Sequence, residues 1–369
     1  MQEQETVAVE GWNPSSVAPS PAGTSLVRSY NEWDPLEEIV VGSAIGARIS
    51  RPDWSLFAVH FHECGRPSEI PSGPFPREAI ERTEEELSRL CEELEALGVS
   101  VRRPDPFDAG AVLATPDWET DGFYEYCPRD SILVVGDLMI EAPMPARAKH
   151  LKALSLRTLE LEYFASGARW ISAPRPRLRD ELYDPRRPSG RRLLEHEPAF
   201  DAANVVRFGA DVLYYVSDSG NELGARWLQS TLGSAFTVHV CRDLNVNDHI
   251  DTTIVPLRPG LVLLNPARVD DSKLPPFLRS WDKVWCPELV DTQIPGTHSF
   301  SSVWIGMNIL MVRPDLAIVD RRQRALIGAL EHHGIDVLPL QLSYDRLIGG
   351  GFHCATLDIR RGGELESYR

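Results

Sequence analysis

The sequence predicts an α/β protein assembled from five similar modules. Two observations carry this reading. A helical stretch that ends at a stop residue and runs straight into a strand recurs five times, with stops at 98, 167, 233, 282 and 334. The stops lie 69, 66, 49 and 52 residues apart, and hairpins with turn signals fill the gaps. A period of this size marks repeated structural units. Periodicity alone leaves two arrangements open, modules set around an axis or a two-domain α/β chain of ordinary βαβ units.

The elements follow in chain order. The first 25 residues, rich in Pro, Ser, Glu and Gln, read as a disordered tail. Order is expected from near Leu26, with a first strand at Glu38–Gly42. Over 79–97, Leu87, Leu90, Cys91, Leu94 and Leu97 fall on one helical face, with acidic residues opposite. Gly98 stops that helix, and Val99 and Val101 alternate as a strand. Residues 148–166 then lead through Gly167 into Arg169–Ser172, and 221–232 through Gly233 into Phe236–Cys241. A short helix at 275–281 leads through Asp282 into Val284–Cys286, and 320–333 through Gly334 into Val337–Leu340. Hairpins are expected at 132–140, 205–216, 252–264 and 308–319.

Composition narrows the function. Hydrophobic residues are 43% and charged residues 25%, as in a globular protein. No apolar run approaches the roughly 18 residues that span a bilayer. The first 24 residues lack the basic and apolar regions of a secretory signal, so a cytoplasmic enzyme is expected. A formal net charge of −16 disfavours nucleic acid and favours a cationic small molecule. The six cysteines are dispersed without a CxxC pair, which implies reduced thiols and no disulfide framework. No glycine-rich phosphate loop follows a strand, so a nucleotide fold has little support.

Polar residues recur just ahead of the hairpins: Arg129 and Asp130, Asp201 and Asn204, His249 and Asp251, Ser301 and Ser302 before Asn308, and His353 and Cys354. If the modules are related by rotation, these residues meet at one end of the axis. Cys354 follows three glycines, Gly349 to Gly351, which permit close backbone approach. It is either a nucleophile or a buried structural thiol. Cys64, Cys91, Cys127, Cys241 and Cys286 have no such setting and read as structural. His249, flanked by Asp248 and Asp251, is either a general acid–base or a polar surface histidine. His332 and His333 suit a helix C-terminus. Asp130 and Asp201 form salt bridges or caps, or together grip a guanidinium, a planar and permanently charged group with five donors. His249, Asp251, His353 and Cys354 are zinc ligands by type, but no metal spacing is present and no metal is expected.

Four strings then carry a family resemblance: Pro128-Arg129-Asp130, Glu197 to Ala203 (EPAFDAA), His249-Ile250-Asp251, and Gly349 to Cys354 followed by Asp358-Ile359-Arg360-Arg361. Together they resemble the L-arginine-dependent amidinotransferases, relatives of glycine amidinotransferase in the guanidine-modifying pentein superfamily. Asn31 to Glu38, Trp118 to Gly122, Asp218 to Gly224 and Ser302 to Asn308 look most like the inosamine-phosphate amidinotransferases of streptomycin-type aminocyclitol pathways. The resemblance implies a five-bladed ββαβ propeller over residues 26–369 as a single domain, which selects the circular arrangement. It implies Cys354 as nucleophile, His249 as acid–base, and Asp201 and Asp130 as supports, with the donor guanidinium between the two aspartates. Asp251, Arg268 and Ser302 match substrate-holding positions, and Arg129 and Asn308 join them as substrate-binding candidates. Among the cations that could meet a phosphorylated acceptor (Arg129, Arg147, Lys149, Arg242 and Arg268), Arg129 and Arg268 are expected to line the pocket. No cofactor is implied; the partners are L-arginine, an amine acceptor and a second copy of the chain. Glycine, lysine or another natural-product amine is the alternative acceptor, and an arginine hydrolase of the same fold is the alternative activity.

Overall fold

The computed structural model describes residues 25–61, 63–244, 249–296 and 299–368. The expected tail, residues 1–25, lies outside these except for Ser25, as does Asp248. Five three-stranded sheets follow one plan, an antiparallel pair extended by a parallel third strand. In the second blade Ile132–Val135 pairs antiparallel with Leu138–Glu141, which pairs parallel with Arg169–Ser172. The third uses Val205–Phe208, Asp211–Tyr215 and Thr237–Cys241. The fourth uses Ile254–Arg258, Leu261–Leu264 and Asp282–Trp285, and the fifth Leu310–Arg313, Leu316–Asp320 and Asp336–Leu340. The first blade closes the ring. Its Leu36–Val41 strand pairs antiparallel with C-terminal Thr356–Arg361 and parallel with Ser100–Arg102. The chain is therefore the five-bladed α/β propeller that the resemblance implied.

A parallel third strand needs a crossover, and helices supply it. Arg77–Ala96 buries Ala79, Thr83, Glu86, Leu87, Leu90 and Leu94 on one face. Each buried leucine contributes about 1.5–3 kcal/mol. Gly98 takes φ +85°, where a side chain would be strained, and lets the chain turn into its strand. Glu222–Leu232 and Arg324–His332 do the same work in the third and fifth blades. Two crossovers differ from expectation. The fourth is a single 3-10 turn, Pro276–Leu278, because prolines at 275 and 276 leave no room for more. In the second, α-helix covers only Arg157–Ala165; the stretch before it is two 3-10 turns, Arg147–Lys149 and Lys152–Leu156. That change has consequences at the site.

Side chains from several blades fill the axis. Arg207 donates to Glu32, Asp358, Ser29 Oγ and the carbonyl of Val134. Arg361 donates to Asp358, the carbonyl of Asp34 and that of Met311. Burial works against the charged forms of Glu32 and Asp358, but Arg207 and its neighbours hold both well below the usual carboxylate range.

Candidate active site

A short 3-10 turn precedes the hairpin of four blades: Pro128–Asp130, Ala202–Asn204, Ile250–Thr252 and Val303–Met307. Successive turns touch one another around the axis. Each turn ends where an inner strand begins, and Asp130 and Asp251 on two of them line pockets at this end of the molecule. Asp201 and His249 each sit at the residue that starts a turn, in extended backbone, and their side chains meet at 3.0 Å.

Cys354 lies between the last glycine loop and the closing strand, and is 5% exposed. Its thiol donates to Asp251 Oδ2 at 3.1 Å. Asn308 holds it twice, Nδ2 donating to Sγ at 3.1 Å and Oδ1 accepting from the Cys354 amide at 2.8 Å. The glycines allow this clamp. A Cβ at Gly351 would lie 2.7 Å from Asn308 Cβ, and one at Gly350 would lie 2.8 Å from Cys127 Sγ. A hydrogen bond with the Cys127 thiol, burial and Asp251 together push the Cys354 thiol well above its ordinary range, with His249 opposing them.

His249 Nε2 faces Asp201 Oδ2 at 3.0 Å, and Nδ1 stands 3.8 Å from Asp130 Oδ1. A carboxylate at Nε2 fixes the proton there and leaves Nδ1 toward the basin. Asp251 also accepts from His353 Nδ1 at 2.9 Å. Burial would raise Asp251, and the His353 contact outweighs it, so Asp251 stays below the usual carboxylate range.

Two adjoining pockets share His249, Phe300 and Gly349 as a common border. One, of about 570 Å³, is lined by Cys354, Asp251, Thr252, Arg268 and Ser302 among others. The other, of about 360 Å³, is lined by Asp130, Lys149, Lys152, Cys127 and Tyr124 among others. Arg268 donates to Thr252 and, at 2.9 Å, to Ser302 Oγ. Burial lowers this guanidinium to about 10. Among the described residues no cluster of three or more His, Cys, Asp or Glu side chains is disposed to hold a metal ion.

The structure therefore brings Cys354, His249, Asp201, Asp130, Asp251, Asn308, Arg268 and Ser302 together. Three expectations need correction. Arg129 does not line either pocket: its Nε donates to the carbonyls of His353 and Thr356, and its Nη2 to Asp358 at 2.7 Å. Consecutive residues of a 3-10 turn point to different sides, so Asp130 faces the basin and Arg129 the axis. Asn308 holds the thiol itself. The gap between Asp130 and Asp201 contains Lys149, whose Nζ donates to Asp130 Oδ2 at 2.9 Å and Asp201 Oδ2 at 2.7 Å. Burial raises Asp130, but Lys149, Lys152 and His249 together hold it well below the usual range. The second oxygens, Asp130 Oδ1 and Asp201 Oδ1, are buried and have no hydrogen-bond partner among the described residues. Of the other rim candidates, Arg147 turns to Leu178 and Asp180, and Arg242 pairs with Glu222.

Lys152 and Cys127 were not expected here, and Lys149 was weighed only as a rim cation for a phosphorylated acceptor. The Pro143 and Pro145 pair was the available signal, since it breaks the chain just before 147 and allows Lys149 to turn inward.

Comparison with known proteins agrees with this fold. No family model matches the chain. It is 62% identical to inosamine-phosphate amidinotransferase 1 of Streptomyces glaucescens, over 94% of this chain and 99% of that protein. It is 40% identical to the L-arginine:L-lysine amidinotransferase of Pseudomonas savastanoi pv. phaseolicola, over 94% of this chain and 97% of that one. The solved structure of the inosamine-phosphate amidinotransferase StrB1 from Streptomyces griseus superposes with a TM-score of 0.92 at 60% identity, covering 94% and 99% of the two chains. The chain belongs to the inosamine-phosphate amidinotransferase family and is an amidinotransferase.

Proposed function

We propose that the protein moves the amidino group of L-arginine to the amine of an inosamine phosphate, through a covalent amidino-Cys354 intermediate. The observation that carries this is the setting of the Cys354 thiol, hydrogen-bonded to Asp251 and sharing one pocket with His249, which Asp201 holds from behind. The thiol is held protonated in the free site, so the arriving cation is itself the activator. A guanidinium beside Sγ adds positive charge, and the thiol proton passes to His249.

Lys149 stands between Asp130 and Asp201. The donor head group is therefore assigned to Asp251 in one pocket and to Asp130 Oδ1, which has no hydrogen bond among the described residues, in the other. We assign the arginine carboxylate to Arg268 and Ser302, which are hydrogen-bonded to each other in the same pocket. Sγ attacks the central carbon, forming the C–S bond. The bond from that carbon to the δ-nitrogen breaks, His249 returns the proton to that nitrogen, and ornithine leaves. The acceptor amine then gives a proton to His249 and attacks the same carbon. The C–S bond breaks, and the thiolate recovers the proton. Positioning and fixed charge supply the rate, since the guanidinium is a poor electrophile. The kinetics are ping-pong.

The acceptor rests on similarity, 62% to an enzyme named for inosamine phosphate against 40% to one named for lysine. We take the assembly to be a homodimer, as the family resemblance implied, and its location to be the cytoplasm. The test is product analysis by mass spectrometry with arginine and a panel of amines. Amidination of inosamine phosphate in preference to glycine or lysine is expected. Preferential amidination of lysine or glycine would refute the acceptor, and ornithine or citrulline without any guanidino product would make the enzyme a hydrolase.

A further inference from the structure

Lys149 lines the basin although the transfer chemistry does not itself call for it. It is 1% exposed, and a lysine so buried must be paired. Its partners come from two blades, Asp130 from the turn before the second hairpin and Asp201 from the turn before the third. It also stands 5.4 Å above the Phe123 ring. The contact that matters most is shared. Asp201 Oδ2 accepts from Lys149 at 2.7 Å and faces His249 Nε2 at 3.0 Å, so imidazole and ammonium divide one oxygen.

From this geometry we infer that Lys149 is a positioning residue for the transfer reaction, clamping Asp130 to Asp201 and leaving His249 free to take up a proton. The inference rests on the amidino-transfer reading above. Its reason is charge balance. Asp201 and Asp130 flank the imidazole, and Asp251 and Cys354 line the same pocket as His249, with Cys354 within its hydrogen-bonding reach. Opposing them are Lys149, Lys152 at 3.5 Å from Asp130, and Arg268, which lines the same pocket as His249. Without the ammonium, two carboxylates would face the ring with only Lys152 behind one of them. Nearby negative charge favours the imidazolium. An imidazolium has no site for the thiol proton in the first half of the reaction, nor for the amine proton in the second.

The test compares the pH dependence of transfer in wild type, K149M and K149R. In K149M the acid limb of kcat/KM moves upward by about one to two pH units, which is a loss of about 10–100-fold at neutral pH that alkaline buffer largely restores. K149R keeps the charge and holds the limb within about half a unit of wild type. A merely structural lysine would give a loss that pH does not recover, and that outcome overturns the inference. So would an unshifted limb in K149M, or a shift in K149R as large as in K149M. Should the methionine variant fail to fold, K149Q replaces it under the same criteria. Wild-type enzyme that forms no adduct with arginine would instead refute the amidino-transfer reading itself.

Discussion

Two buried charge clusters lie a few residues apart along the axis, and they differ in completeness. In the axial cluster every carboxylate oxygen is used: Glu32 and Asp358 meet Arg207, Arg129, Arg361, Ser29 and His353. In the basin, Lys149 and His249 engage one oxygen of Asp201, Lys149 engages one of Asp130, and the second oxygen of each acid has no hydrogen bond among the described residues. Both clusters hold charge out of water. The saturated one offers a ligand nothing and joins the blades. The unsaturated one opens on pockets, as a cation-binding site must.

The comparison breaks most sharply at the two buried aspartates. Asp201→Asn should leave the fold intact and lower kcat about 10²–10⁴-fold, because it removes the charge that orients His249. Steady-state kinetics beside a thermal melt measure both quantities, and a near-normal rate would remove Asp201 from the chemistry. Arg207→Met should do the reverse. It strands Glu32 and Asp358, costs about 3–5 kcal/mol of stability, and leaves the rate per folded molecule close to wild type. Denaturant titration reads the first effect and active-site titration the second.

Smaller effects sharpen the same contrast. Arg268→Ala should raise KM for arginine about 10–100-fold while changing kcat less, since the group binds rather than reacts. A loss confined to kcat would reassign it. Protonation of the axial acids gives an acid limit. Glu32 and Asp358 are held below their unfolded values, so their stabilisation is present above about pH 4 and is lost as pH falls below that. Glu160 runs the other way. Burial, with Glu141 adding to it, pushes its carboxyl up to about 8. Its contribution is complete at acid pH and disappears as pH rises through about 8. Glu160→Gln should therefore gain in melting temperature over wild type as pH rises from about 6 to about 9, and an unchanged difference would contradict that burial.

Much of the fold was legible because its signals are local. A glycine stop after an apolar stripe marks each crossover except the fourth, and Gly98, Gly167, Gly233 and Gly334 all adopt positive φ. Cys354, His249 and the aspartates were legible because they occupy comparable places before comparable hairpins. What escaped was anything set by three-dimensional direction. Lys149 reads as the start of a helix, yet it lies on a 3-10 turn and points inward. Arg129 sits next to Asp130 in the chain and on the opposite side in space. Cys127 reads as structural, yet its sulfur reaches the loop that carries Cys354.

The central claim, that Cys354 carries the amidino group, is tested most directly by peptide mass spectrometry of the enzyme held with L-arginine and no acceptor. The account predicts an amidino adduct on the peptide containing Cys354, absent in Cys354→Ala and discharged when inosamine phosphate is added. An adduct on Cys127 instead, or transfer that survives in Cys354→Ala, would contradict it.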